Sequence, residues 1–145
     1  MNTPPETAFI SAPYRKWGVA LNAGFQLLPD LVLKHQRRLG LSANDLVVLI
    51  NLMMSWWHPD RPPYPRPTTI AKRMGVGVRS VQRSLQRLQD KGLIERVALP
   101  SSADTPATTA YDLSGLVSRL QRVAIDDPGY RDRLPSQPEL LEEVH

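Results

Sequence analysis

The sequence predicts a mainly α-helical domain that ends in a small β-hairpin. Three observations carry this expectation. Val78, Val81, Leu85 and Leu88 recur at i, i+3, i+7 and i+10 and are followed by Gly92, the signature of a helix with one buried face and a glycine stop. Gly75-Val76-Gly77 separates this stretch from a shorter helical pattern upstream. Downstream, two short β-branched runs flank a cluster of turn formers, which is how a hairpin reads.

At 145 residues with 41% apolar content, the chain can build one core but hardly two. The expected organisation is a flexible arm over 1–18, one domain over 19–124 and an acidic, disordered tail over 125–145. There are no cysteines, so disulfides, thiolate nucleophiles and thiolate metal sites are excluded together. Met1 to Pro13 has no apolar run and resembles neither a secretory signal nor an anchor. The longest apolar stretch, Leu46 to Trp57, is interrupted by Asn51 and Ser55 and is too short to span a bilayer. A soluble cytoplasmic protein is expected.

Val19 to Leu28 reads as a short edge strand weakened by Gly24. Leu31, Val32, His35 and Leu39 then mark a first helix, with Asp30 as its cap and Gly40 as its stop. Ser42 and Asp45 have capping-box spacing. Behind them Leu46, Leu49, Ile50, Met53 and Trp57 share one face, and further apolar residues on the other sides predict a central, buried helix. Trp56 and Trp57 read as core and rim packing rather than a base-stacking platform.

The segment His58 to Pro67 contains five prolines and must be an extended connector. Thr68 or Thr69 can cap a third helix containing Ile70, Ala71 and Met74. The fourth helix is Val78 to Lys91. Leu93 to Leu99 and Ala107 to Leu113 form the hairpin strands, and Leu116, Val117, Leu120 and Val123 suggest a final helix. Beyond Ala124 the chain turns acidic and carries proline, with one short structured segment anticipated at Pro138 to Val144.

Charge distribution directs attention to one part of this plan. The formal net charge is +4, yet residues 61–91 hold eight basic side chains against one acidic one, while residues 126–145 hold two against six. A basic segment concentrated in an otherwise balanced chain is the footprint of a surface for a polyanion. Helix, glycine turn, helix and hairpin succeed one another there within about fifty residues, the order of a winged helix-turn-helix.

With the apolar stripe facing inward, Arg79, Arg83 and Arg87 fall at i, i+4 and i+8 on another face, flanked by Ser80, Gln82, Ser84 and Gln86. Arginine can grip guanine O6 and N7 with two parallel hydrogen bonds or clamp a phosphate, and glutamine can address adenine. The N-terminal part of such a helix lies nearest the bases. Arg79, Ser80, Gln82 and Arg83 are therefore assigned to the major groove, and Arg87 to the DNA backbone. Lys72 and Arg73, on the preceding helix, are assigned to phosphates; Thr68 and Gln86 complete the set.

The stretch Pro67 to Arg96 resembles winged-helix domains of bacterial transcriptional regulators and of phage and plasmid replication initiators. The resemblance is carried by Ile70-Ala71, Met74-Gly75, the run Val81-Gln82-Arg83-Ser84-Leu85-Gln86-Arg87-Leu88, and Gly92-Leu93-Ile94. It extends over roughly residues 19 to 115 and implies a recognition helix at Val78 to Lys91 and a wing in the hairpin. Two positions depart from the pattern. Gly77 stands where a Ser or Thr cap is usual, at a cost of a few tenths of a kcal/mol. The wing tip offers Ser101, Ser102, Asp104 and Thr105 with no Lys or Arg, which leaves the recognition helix to carry most of the binding.

Other chemistry has little support. His35, His58 and His145 are far apart and lack ligand-spaced neighbours, so no metal is expected. Gly75 and Gly77 lack the Lys-Ser or Lys-Thr of a phosphate loop. Asp126-Asp127 and Glu142-Glu143 have no enclosing pocket to raise a pKa, and read as solvated tail or as acidic patches that compete with DNA or contact a partner protein. No enzyme and no cofactor are expected. The leading functional expectation is a sequence-specific regulator that binds double-stranded DNA as a homodimer, using the apolar face of Leu116 to Val123 and the Trp17 to Leu28 segment as contacts. A replication or partition factor of a plasmid, phage or mobile element is the alternative, and a protein-interaction module that kept the fold is the third.

Overall fold

The computed structural model describes residues 12–101, 103–104 and 106–129. Five α-helices follow the N-terminal segment: α1 (Asp30–Lys34), α2 (Ala43–Met54), α3 (Pro67–Met74), α4 (Val78–Asp90) and α5 (Ser114–Asp126). Between α4 and α5 run β1 (Glu95–Leu99) and β2 (Thr108–Asp112). The strands pair antiparallel from Glu95 opposite Asp112 to Leu99 opposite Thr108, which confirms a mainly helical domain with a small hairpin.

The edge strand expected at Val19 to Leu28 is not there. Residues 12–17 are helical, Gly18–Ala23 is a 3-10 helix and the chain then runs irregularly to Pro29. No neighbouring strand offers this segment a ladder, because the only sheet among the described residues is the hairpin. Helical structure at 12–17 also falls inside the stretch read as a flexible arm. At the other end α5 runs through Asp126, two residues into the stretch read as tail. Asp126 Oδ2 lies 3.4 Å from Arg38 Nη2, and Asp127 Oδ2 lies 3.2 Å from His35 Nε2, so these acids tie α5 to the region of α1. The rest of the arm and tail, including Pro138 to Val144, lies outside the described residues.

Two helix starts differ from expectation. Pro29, not Asp30, is the cap residue of α1, and the α-helix ends at Lys34, with turns continuing to Gly40 in the left-handed region. In α3 the cap position is Arg66 and Pro67 occupies the first turn, where its missing N–H is no loss. Thr68 and Thr69 are therefore helical residues with no capping role. The capping box of α2 is present as expected: the Ser42 hydroxyl accepts from the Asp45 amide at 3.1 Å, and the Asp45 carboxylate accepts from the Ser42 amide.

Helix α2 is less enclosed than its apolar content suggests. Val48, Leu49 and Leu52 are buried beside Asp45, while Val47, Met54 and Trp57 remain exposed, Trp57 by 82%. Trp56 packs partly against the core. The buried stripe runs through Asp45, displaced from the Leu46 to Trp57 face, because α4 packs on the side where Asp45 finds a cationic partner.

The core is shared by α2, α3 and α4 and closed by Leu93, Ile94, Tyr111, Leu113 and Leu116. The proline-rich connector is anchored at one point, where the Tyr111 amide donates to the Pro63 carbonyl at 2.8 Å. Helix α5 begins against the base of the hairpin: the Leu116 amide donates to the Leu93 carbonyl at 2.9 Å, and the Asp112 carboxylate accepts from the Ser114 amide at 2.7 Å. This approach requires Gly115. A Cβ there would lie 2.1 Å from the Gly92 carbonyl oxygen, a backbone atom that cannot swing aside. Gly115→Ala is expected to destabilise the fold by about 3 kcal/mol, the upper part of the usual range for forced overpacking. Urea unfolding of the two proteins measures it, and a loss under about 1 kcal/mol would mean that the α5 start shifts freely.

Candidate nucleic-acid interface

The interface expected from sequence centres on α3, the turn and α4. Gly75 is left-handed at φ 68° and its amide reaches back to the carbonyls of Ala71 and Lys72, so α3 ends abruptly. The Val76 amide also closes on the Ala71 carbonyl at 3.1 Å. Gly77 then enters α4 with an extended backbone and no side-chain cap, and the first turn of α4 has no acidic residue. The N-terminus of α4 therefore presents uncapped amides and the positive end of its dipole, a combination suited to an anion.

Along α4 the inward stripe is Val81, Ser84, Leu85 and Leu88. Val78 is 37% exposed at the helix start and does not belong to the core as its place in the repeat suggested. Ser84 is fully buried, a correction to its assignment beside the outer face. Arg79, Gln82 and Arg83 are exposed, and none has a hydrogen-bond or ion-pair partner among the described residues. Ser80 is half-buried at the flank. The Gln86 amide donates to Asp90 Oδ1 at 2.8 Å, so Gln86 faces outward but is already engaged.

Arg87 is the main correction. Its Nη2 donates to Asp45 Oδ1 at 2.8 Å, and its Nε lies 3.0 Å from Oδ1 and 3.3 Å from Oδ2. Nη2 also donates to the Ser84 hydroxyl at 3.0 Å. This side chain ties α4 to the start of α2 and is not free for a phosphate. Burial by itself raises the pKa of Asp45, but the hydrogen bonds from Arg87, Ser84 and Ser42 outweigh it and hold the carboxyl below its ordinary value. Lys91 supports the same junction, with Nζ 3.9 Å from Asp45 Oδ2 and a hydrogen bond to the Gly40 carbonyl. Asp45 was read only as a helix cap. The signal for its second role is helix geometry: successive i+4 steps rotate by about 40°, so Arg87 lies about 80° round from Arg79, toward the buried side.

On α3, Thr68 and Lys72 are exposed. Arg73 is exposed and donates to the Asn51 side chain at 3.2 Å, a neutral partner that positions the guanidinium without cancelling its charge. Of the wing, Arg96 is the one basic residue, opposite Tyr111 near the hairpin base. Ser101 and Asp104 are exposed toward the tip; Ser102 and Thr105 lie outside the described residues. Among the described residues no group of three His, Cys, Asp or Glu side chains could hold a metal, and no helix is long and apolar enough to cross a membrane.

Residues 39–94 match the family model described as a helix-turn-helix domain. With the β1–β2 hairpin directly after the matched stretch, the fold is that of a winged helix-turn-helix. The matched region begins at the turn before α2 and ends where the winged helix-turn-helix hairpin starts, so it contains every residue assigned to the interface. Among solved structures the chain is similar to the N-terminal domain of DnaD protein from Geobacillus kaustophilus HTA426, at 22% identity, covering 92% of this chain and 100% of that one with a TM-score of 0.52. At that identity the likeness concerns the fold. Looser matches are the reduced form of the transcriptional regulator YodB from B. subtilis (22% identity, 75% and 95% coverage, TM-score 0.41) and MarR (18%, 97% and 91%, TM-score 0.39). No curated protein matches the chain. The helix-turn-helix match supports a DNA-binding role.

Proposed function

We propose that this chain is a sequence-specific regulator that binds double-stranded DNA with α4 in the major groove. The observation that carries this reading is the pair of unpartnered guanidiniums, Arg79 and Arg83, on the exposed, uncapped and acid-free N-terminal half of α4. Gln82 and Ser80 are placed beside them to address base edges, and Lys72, Arg73 and Thr68 to hold phosphates. Arg87 leaves this set, and Gln86 contributes only by giving up Asp90. With no base at its tip, the wing adds at most Arg96.

A homodimer acting in the cytoplasm is the form we propose. The Leu116 to Val123 face expected to meet a partner is instead packed into the chain's own core, with Leu116, Leu120 and Val123 buried. Trp17, Val19, Phe25 and Leu27 of the N-terminal segment and Ile125 of α5 are exposed by 59% or more, and exposed apolar side chains of this kind favour a contact surface. A two-fold dimer would place two recognition helices one DNA turn apart.

The test is duplex binding across a salt series, since each phosphate neutralised contributes about 0.9 to the logarithmic slope. Lys72→Ala is expected to lower the slope by about that amount for each copy bound. It should weaken preferred and unrelated duplexes alike. A slope near zero for the intact protein would overturn the DNA reading. Promoter or origin occupancy on genomic DNA then separates transcriptional control from a replication role.

A further inference from the structure

A second basic cluster lies away from the groove-facing end of α4. Between the turn after α1 and one face of α5, a cavity of about 290 Å³ is lined by Arg38, Leu39, Arg119, Arg122 and Val123. Leu39 and Val123 are buried and supply an apolar floor. Arg38 and Arg122 are exposed and Arg119 is half-buried, which puts three guanidiniums around the opening. Asp126 answers Arg38 alone, in an exposed pair at 3.4 Å, a contact worth little in water. Arg119 Nη2 donates to the Lys91 carbonyl at 3.3 Å. Arg122 has no hydrogen-bond or ion-pair partner among the described residues.

We propose that this cavity binds a small organic oxyanion, a carboxylate or phosphate monoester on a short apolar body. Arginine forks match both head groups and grip them through paired hydrogen bonds. The buried Leu39 and Val123 favour an apolar body over a bare ion, and the volume, near the lower limit of ligand pockets, restricts that body to about one ring. The site is separate from the interface: α4 rises about 18 Å from Val78 to Asp90, and the cavity adjoins its far end.

Both walls touch the residue that ends the recognition helix. Lys91 donates to the Gly40 carbonyl next to Leu39, and the Lys91 carbonyl accepts from Arg119. An anion that recruits Arg119 takes a hydrogen bond from the end of α4. This link to DNA affinity, reciprocal by necessity, rests on the DNA reading; the anion site does not.

Methyl-labelled full-length protein, without DNA, is titrated with benzoate, phenyl phosphate and inorganic phosphate while the Leu39 and Val123 methyl signals are followed. Saturable shifts at these two residues are expected for at least one organic anion, with inorganic phosphate binding about tenfold more weakly. The two organic anions tell carboxylate from phosphate preference. Arg122→Glu, and more mildly Arg122→Gln, should weaken binding, the reversal by about tenfold or more; Arg79→Ala should leave it unchanged. No saturable shift with any of the three compounds would overturn the proposal. So would inorganic phosphate binding as well as the organic anions, or shifts shared by the Arg79 and Arg83 surface, since either marks ordinary counter-ion attraction.

Discussion

Arg87→Ala is expected to lower stability by about 3 kcal/mol, the low end for breaking a buried ion pair. The loss arises at Asp45, which is 1% exposed and would keep its charge with its main partner gone. Lys91 at 3.9 Å and the Ser42 bond offset part of it, and the Arg87 side chain is already 45% exposed, so the upper end of the range is not reached. For a domain of this size that corresponds to a melting temperature lower by about 10 °C. The pH dependence separates this origin from a simple loss of packing. Asp45 has a depressed pKa in the folded protein, so its contribution is present above the unfolded value, about 3.9, and fades as pH falls through the folded value. The variant lacks that contribution at every pH. The gap between the two proteins should therefore be widest near neutrality and narrow below about pH 4. A gap that stays constant down to pH 2 would show that the ion pair is not its source. The salt slope of DNA binding, measured where the variant is folded, should match that of the unchanged protein; a slope lower by about 0.9 would return Arg87 to the phosphate contacts.

The opposite pattern is expected of Arg79→Ala combined with Arg83→Ala. Each removes an exposed side chain with no hydrogen-bond or ion-pair partner among the described residues, so stability should change by less than about 0.5 kcal/mol. Binding to a preferred duplex should weaken by about 1 to 3 kcal/mol for each arginine that reads a base, or about 2 to 6 kcal/mol together. That is a loss of at least about thirtyfold. Unrelated duplexes should lose much less, because base contacts discriminate and phosphate contacts do not. Equal losses on all duplexes would assign both arginines to the backbone. Undiminished binding with a normal melting curve would remove α4 from the interface altogether.

The order of elements was legible because each left a local mark. The α4 stripe, the glycines at 75 and 92, the Ser42 and Asp45 capping box and the prolines before α3 are each decided within a few residues of chain. Val19 to Leu28 misled because a short run of apolar and small residues suits a strand only when another strand offers a ladder, and none among the described residues adjoins it. Thr68 misled because Pro67 can start a helix two residues earlier than a cap at Thr68 would. Gly115 left no mark, since its necessity comes from the Gly92 carbonyl pressed against it.

The candidate surface divides along the same line. By itself the sequence determined that residues 61–91 hold the excess of positive charge and that one helix displays it, because composition and a 3.6-residue period are properties of the chain alone. Only the tertiary structure decided which cations remain available. Arg79 and Arg83 are left to solvent while Arg87 is drawn to Asp45, 42 residues away in the chain. A buried carboxylate must be neutralised by whatever cation packing brings within reach, and nothing local to Arg87 records that demand.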